Sequence, residues 1–136
     1  MIPVRKRTIR GAVLGAVILS VAGIGSAQAE GNWSSYISDW RTGNESRRWH
    51  DGNTDSTSTS VRLGGCSASP ASFKSVTLVV WEDQFGPDDN KGTRSNKCGT
   101  TYWGDLSSGE YYFSVELINN NATGFRFSAS SVYVRY

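Results

Sequence analysis

Along the second half of the chain, apolar residues recur at every second position in short runs, each closed by glycine, proline or asparagine. A period of two places alternate side chains on one face of a strand, so this part of the chain reads as β-structure with no long helix. Residues 57–63 alternate and are rich in β-branched side chains. Residues 75–81 hold Val76, Leu78, Val79, Val80 and Trp81 in near-continuous apolar order, as expected of a core strand, with Trp81 assigned to packing. Residues 110–118 put Tyr111, Phe113, Val115 and Leu117 on one face. Residues 125–136 do the same with Phe125, Phe127 and Ala129, then resume one position out of phase with Val132, Val134 and Tyr136. Such a slip predicts a β-bulge at Ser130 or Ser131. Gly64-Gly65, Gly86-Pro87, Ser108-Gly109 and Asn119-Asn120-Asn121 mark turns between the runs. Five to seven strands at this spacing predict an all-β, single-domain β-sandwich over residues 47–136, with a small β-barrel as the alternative. Within residues 105–113, a tyrosine just after the turn is placed to tie the corner through its hydroxyl.

The first 29 residues follow a different logic. Arg5, Lys6, Arg7 and Arg10 precede an apolar stretch over residues 11–24, and Ala27 and Ala29 then form an A-x-A site. This is the pattern of a cleavable signal peptide, with the apolar stretch shorter than the roughly 20 residues of a membrane-spanning helix. The expected mature protein starts at Glu30, is secreted, and is not held at a membrane. The full chain has 14 Lys and Arg against 12 Asp and Glu. Four of those bases and none of the acids lie in the leader, which leaves ten against twelve and a formal charge of −2. An overall basic footprint for nucleic acid is therefore absent, and nucleic acid is not an expected partner. Between leader and sandwich, residues 30–46 hold Trp33, Tyr36, Ile37 and Trp40 at i, i+3, i+4 and i+7, so a short helix or a docked N-terminal arm is expected there.

Cys66 and Cys98 are the only cysteines. In an exported chain they predict one disulfide, which also offsets the modest core available to a domain this size. Two thiols and one histidine make a poor zinc set, and no metal or cofactor is expected.

Candidate chemistry is sparse. His50 stands beside Asp51 and behind Arg47 and Arg48, which suggests a small hydrolase, but neighbours on a strand point to opposite faces. Asp51, Asn53 and Asp55 begin like a calcium loop, then lack the required glycine and terminal glutamate; a polar turn is the plainer reading. Residues 84–97 form the longest stretch without a strand pattern, a candidate loop presenting Arg94 or Lys97 to a secreted protease. Tyr102 and Trp103, with Asp105 nearby, suggest a flat platform for a sugar ring, against the usual role of aromatics in filling a core. The leading expectation is a monomeric, non-catalytic secreted protein that binds an extracellular polysaccharide or protein through loops or surface aromatics. A secreted hydrolase inhibitor acting through residues 84–97 is the alternative, and a hydrolase using His50 stands third.

Overall fold

A computed structural model describes residues 30–136; the leader and its cleavage site at Ala27 and Ala29 lie outside the described residues. The described residues form an all-β sandwich of eight strands: β1 (Asn32–Trp40), β2 (Trp49–Asp51), β3 (Thr59–Ser69), β4 (Val76–Asp83), β5 (Asp89–Asn96), β6 (Thr100–Gly104), β7 (Gly109–Ile118) and β8 (Arg126–Arg135). Sheet A has the order β1-β8-β3-β6, and sheet B the order β2-β7-β4-β5. All pairings are antiparallel. The two sheets remain separate, so the architecture is the sandwich and not the barrel. Only β4 and β5 follow one another within a sheet; every other connection passes from one sheet to the other.

The core is built from the inward-facing residues of both sheets. Val61 and Leu63 of β3, Phe127, Ala129, Val132 and Val134 of β8, Leu78 and Val80 of β4, and Tyr111, Phe113 and Val115 of β7 are all buried. One end of this core is aromatic. Trp33 stacks on Phe113 at 6.3 Å between ring centroids, and Trp49 stacks on Tyr111 at 6.3 Å and on Tyr136 at 5.9 Å. Rings of this size exclude much apolar surface from water and gain further from offset contact.

The segment expected as a helix or arm is strand β1, and it belongs to the sandwich itself. Its partner is β8, with Trp33 opposite Val134 and Trp40 opposite Phe127. The helical spacing arises because two register shifts interrupt the strand, between Ser35 and Ile37 and between Ile37 and Trp40. Each shift moves the inward position, and an i, i+4, i+7 pattern results from a strand that changes phase. The shift at Ser35 and Ile37 lies opposite Ala129 and Val132, so the extra residue falls at Ser130 or Ser131 as the alternation implied. β3 changes phase at the same level, from Leu63 to Cys66, through Gly65 at φ +61°. A Cβ on Gly64 would lie 2.5 Å from the Ser131 Oγ, and one on Gly65 would overlap the Ser130 hydroxyl. At Gly64 a Cβ would need the exposed Ser131 hydroxyl to turn aside, whereas Gly65 is required both by the Ser130 side chain, whose Cβ would lie 2.9 Å away, and by backbone conformation.

Two further expectations need correction. A register shift between Thr77 and Leu78 turns Ile118 into the core and leaves Leu117 half-buried. Trp81 faces away from the core, on the outer side of sheet B, where its Nε1 donates to Ser114 Oγ at 2.8 Å.

Cys66 and Cys98 are joined, with Cα atoms 5.9 Å apart. Asn96, buried at the end of β5, prepares this bond. Its Oδ1 accepts from the backbone N–H of Cys98 at 2.8 Å and of Gly99 at 3.0 Å, and its Nδ2 donates to the Gly99 carbonyl at 2.9 Å. Those bonds hold Cys98 at φ +72°, a conformation non-glycine residues seldom adopt. Among the described residues, no helix is long and apolar enough to cross a membrane.

Candidate functional site

The outer face of sheet A carries the most suggestive grouping. Alternation along β3 and β8 sends Val61, Leu63, Val132 and Val134 inward, and therefore sends Ser60, Arg62, Tyr133 and Arg135 outward. Strand pairing aligns them in rows. Tyr102, Ser60 and Arg135 lie side by side across β6, β3 and β8, and Thr100, Arg62 and Tyr133 form the next row. Together with Thr57 and Ser58 these residues line a shallow groove of about 350 Å³. The Arg62 guanidinium stands 5.2 Å from the centre of the Tyr133 ring, within cation–π range. Tyr102 is 61% exposed, so its ring face is free. Among the described residues, no acidic side chain lines the groove. The floor is two-sided ladder, so these side chains project from rigid backbone.

Tyr102 and Trp103 do not form a joint platform. Adjacent on β6, they point to opposite sides: Tyr102 outward and Trp103 into the core at 5% exposure. The Trp103 Nε1 donates to the Gly92 carbonyl at 2.8 Å, bridging from sheet A to β5 of sheet B. Asp105 is exposed beyond the end of β6, outside the groove.

Residues 84–97 are mostly strand, not loop. β5 pairs with β4 from Val76 opposite Asn96 to Glu82 opposite Asp89, with a register shift between Val79 and Trp81. β5 shows no apolar alternation because it is an edge strand rich in polar side chains, which escape a hydrophobic template. Arg94 is half-buried and lies against the backbone. Its Nε donates to the Tyr102 carbonyl at 3.0 Å, its Nη1 to the Thr93 carbonyl at 3.1 Å, and its guanidinium lies 5.7 Å from the Trp103 ring. Lys97 is exposed in the turn beside Cys98. At the tip of the β4–β5 hairpin, Phe85 is fully exposed, and Gln84 Nε2 braces the tip by donating to the Pro87 carbonyl at 3.1 Å.

Sheet B presents a contrasting outer face on which charges are already paired. Arg48 stacks on Tyr112 at 3.8 Å and forms ion pairs with Glu45 and Asp83, both at 3.0 Å. The Tyr112 hydroxyl donates to Asp88 at 2.5 Å; burial, then this bond, push its pKa well above the usual phenol range. Ser114 passes the Trp81 bond on to Glu116 Oε2 at 3.0 Å. His50 also lies on this face, with Nδ1 2.6 Å from Glu110 Oε2, a partner sixty residues away that sequence proximity gave no hint of. Asp51, its chain neighbour, is buried on the inner side, so the two do not share a site.

Asp51 and Asp55 each bond the backbone two residues on, accepting from the N–H of Asn53 at 2.8 Å and of Thr57 at 2.9 Å. This is the polar turn, in which the carboxylates serve the chain itself. Among the described residues, no cluster of three or more His, Cys, Asp or Glu is placed to hold a metal ion. Burial raises the Asp51 pKa against the Asn53 bond, with Glu30, Asp105 and Asp55 adding like charge. Glu30 is held below its ordinary range by the amides of Thr54 and Gly52, which it accepts at 3.0 and 2.5 Å.

Sequence reasoning found Tyr102 and missed Tyr133, Arg62 and Arg135. Their signal was present in the same alternation that marked the core: Arg62 and Tyr133 each stand between two buried valine or leucine positions, and Arg135 stands between buried Val134 and half-buried Tyr136. A scan against protein-family models and a search of curated proteins find no match to the chain.

Proposed function

We propose that this is a non-catalytic binding protein, exported by a cleaved leader, that holds an extracellular polysaccharide on the outer face of sheet A. The observation that carries the reading is the groove of Tyr102 and Tyr133 set among Ser58, Ser60, Thr57, Thr100 and two arginines. Ring faces pack against the apolar faces of sugar rings, while hydroxyls and guanidiniums supply donors and acceptors for sugar hydroxyls. A shallow, open groove on a rigid sheet suits an extended polymer better than an enclosed small molecule. The disulfide agrees with an oxidising compartment. Retention of the mature protein in native gels cast with soluble neutral and acidic polysaccharides tests this. Tyr102→Ala and Tyr133→Ala are expected to release it, with a loss of about tenfold or more in affinity for a central aromatic contact. Failure to be retained by any polymer, or unchanged retention of both variants, would overturn the reading.

A second reading, inhibition of a secreted hydrolase, is favoured by Phe85, whose ring is fully exposed at a braced hairpin tip. An apolar anchor on a pre-ordered turn loses little entropy on binding. Phe85 joins exposed Lys97 as a contact for the protease, while Arg94 is half-buried and bonded to backbone carbonyls. Phe85→Ala would abolish inhibition of a chymotrypsin-like protease and leave polysaccharide retention untouched.

A further inference from the structure

The modest net charge conceals a strong division between the two sheets. The strands of sheet A carry Arg62, Arg126 and Arg135 against Asp39 as their single acid, whereas those of sheet B carry Asp51, Glu82, Asp83, Asp89, Glu110 and Glu116 against Lys91 and Arg94. On sheet B the cations are engaged: Lys91 meets Asp89 at 3.1 Å and Glu82 at 3.5 Å, and Arg94 donates to backbone carbonyls. On sheet A they are not. Among the described residues, the guanidiniums of Arg62, Arg126 and Arg135 have neither an ion pair nor a hydrogen bond with any other group. Arg62 and Arg135 are also diagonal neighbours on β3 and β8, since Arg62 pairs with Tyr133 and Ser60 with Arg135. Like charges at that spacing repel, a cost that a bound anion removes.

The arrangement extends along β8. Phe127 points into the core, so its neighbour Arg126 points out, on the face that carries Tyr133 and Arg135 at the far end of the same strand. Between them the outward line is half-buried Ser128 and exposed Ser130 and Ser131. At a strand rise of 3.2–3.4 Å, Arg126 and Arg135 are about 30 Å apart. Arg126 shares a second hollow, of about 430 Å³, with Arg41, Thr42 and Thr123, and no acidic side chain lines it. Asp39 lies on the neighbouring strand β1, where its backbone N–H donates to the Ser128 hydroxyl oxygen at 2.9 Å.

We infer that the ligand is an acidic polysaccharide, a chain of uronic acid or sulfated sugars, lying lengthwise along β8 with its anionic groups held by Arg62 and Arg135 at one end and Arg126 and Arg41 at the other. This rests on the polysaccharide-binding reading and adds the charge, direction and length of the ligand. Arginine suits the task because its planar fork matches carboxylate and sulfate oxygens bidentately. The separation of the arginine pairs means that a polymer engages both ends and a disaccharide only one, so affinity rises with chain length.

Titration calorimetry of the mature protein with polygalacturonate, digalacturonate, a neutral xyloglucan and a single-stranded DNA tests the inference. Expected are binding to polygalacturonate that weakens steeply with added salt, much weaker binding of the dimer, and none of the neutral polymer. Arg62→Ala, Arg135→Ala and Arg126→Ala should each cost about tenfold in Kd at low salt, with melting temperatures unchanged. Xyloglucan binding that depends on Tyr102 but not on the arginines would overturn the acidic ligand and leave the polysaccharide reading standing. Equal binding of DNA and polygalacturonate would overturn the sugar. Binding of none of the four would overturn both readings.

Discussion

The Tyr111 hydroxyl donates to the carbonyl of Ser107, four residues upstream, at 2.6 Å, while its ring is wholly buried beside Trp49. One side chain thus anchors the start of β7 in the core and fixes the turn that brings the chain over from sheet A. Burial raises its pKa, opposed by the Ser107 hydroxyl and not by the carbonyl, so the proton stays available to donate. Tyr111→Phe keeps the packing and removes the tie. A loss of about 1–2 kcal/mol in urea unfolding is expected, with an unchanged m-value; no loss would mean that the corner is held by the ring alone.

Tyr102 and Trp103 should separate cleanly on substitution. Trp103 loses both its core packing and its bond to Gly92, so Trp103→Ala should cost about 3–5 kcal/mol. Tyr102→Ala should remain within about 0.5 kcal/mol of the wild type. Thermal melts of the two variants give the comparison, and a similar drop for both would contradict the alternation of β6.

The sandwich, its disulfide, the bulge in β8 and the tied corner were legible because each leaves a local mark: alternation, a cysteine pair, a slipped phase, a tyrosine after a turn. β1 was illegible for the same physical reason that β8 was clear. Its two register shifts fall close together, and a strand that twice changes phase within nine residues imitates a helix. β5 left no mark because a polar edge strand is defined by its partner β4 and not by its own composition. The groove on sheet A was half legible. Tyr102 drew notice as part of an aromatic pair, but Arg62 and Tyr133 are neighbours only through the β3–β8 register, which relates residues seventy-one positions apart.

The bond between Cys66 and Cys98 joins β3 to the turn after β5. Opening it should cost about 3–4 kcal/mol by the chain-entropy account. A Cys66→Ser, Cys98→Ser double variant, melted beside the wild type, measures this. The exported wild-type protein should have the intact mass of a chain starting at Glu30, less two hydrogens. A mass that retains the leader would contradict cleavage after Ala29.

Asp51 supplies a pH signature. Burial, with the charges of Glu30, Asp105 and Asp55, raises its folded pKa above the ordinary 3.8. Between those two values the folded state binds more protons than the unfolded state, so stability declines as pH rises through the window. The cost is fully present at neutral pH. Asp51→Asn keeps an oxygen for the Asn53 N–H and carries no charge. It should melt above the wild type at pH 7, and the gap should narrow as pH falls toward 4. A gap independent of pH would show that the charge is not the cause.

The contact of Gly64 and Gly65 with Ser131 and Ser130 also sets a rule for how such a chain can change over time. A side chain gained at Gly64 needs the Ser131 hydroxyl to turn aside, and one at Gly65 meets both the Ser130 side chain and a backbone angle that favours glycine. Drift at these four positions is therefore correlated. Related sequences that keep this sandwich should hold Gly65 and a small residue at Ser130 as one inherited unit, whereas Arg62 and Tyr133, a single turn of the pleat away, project outward and are free to vary.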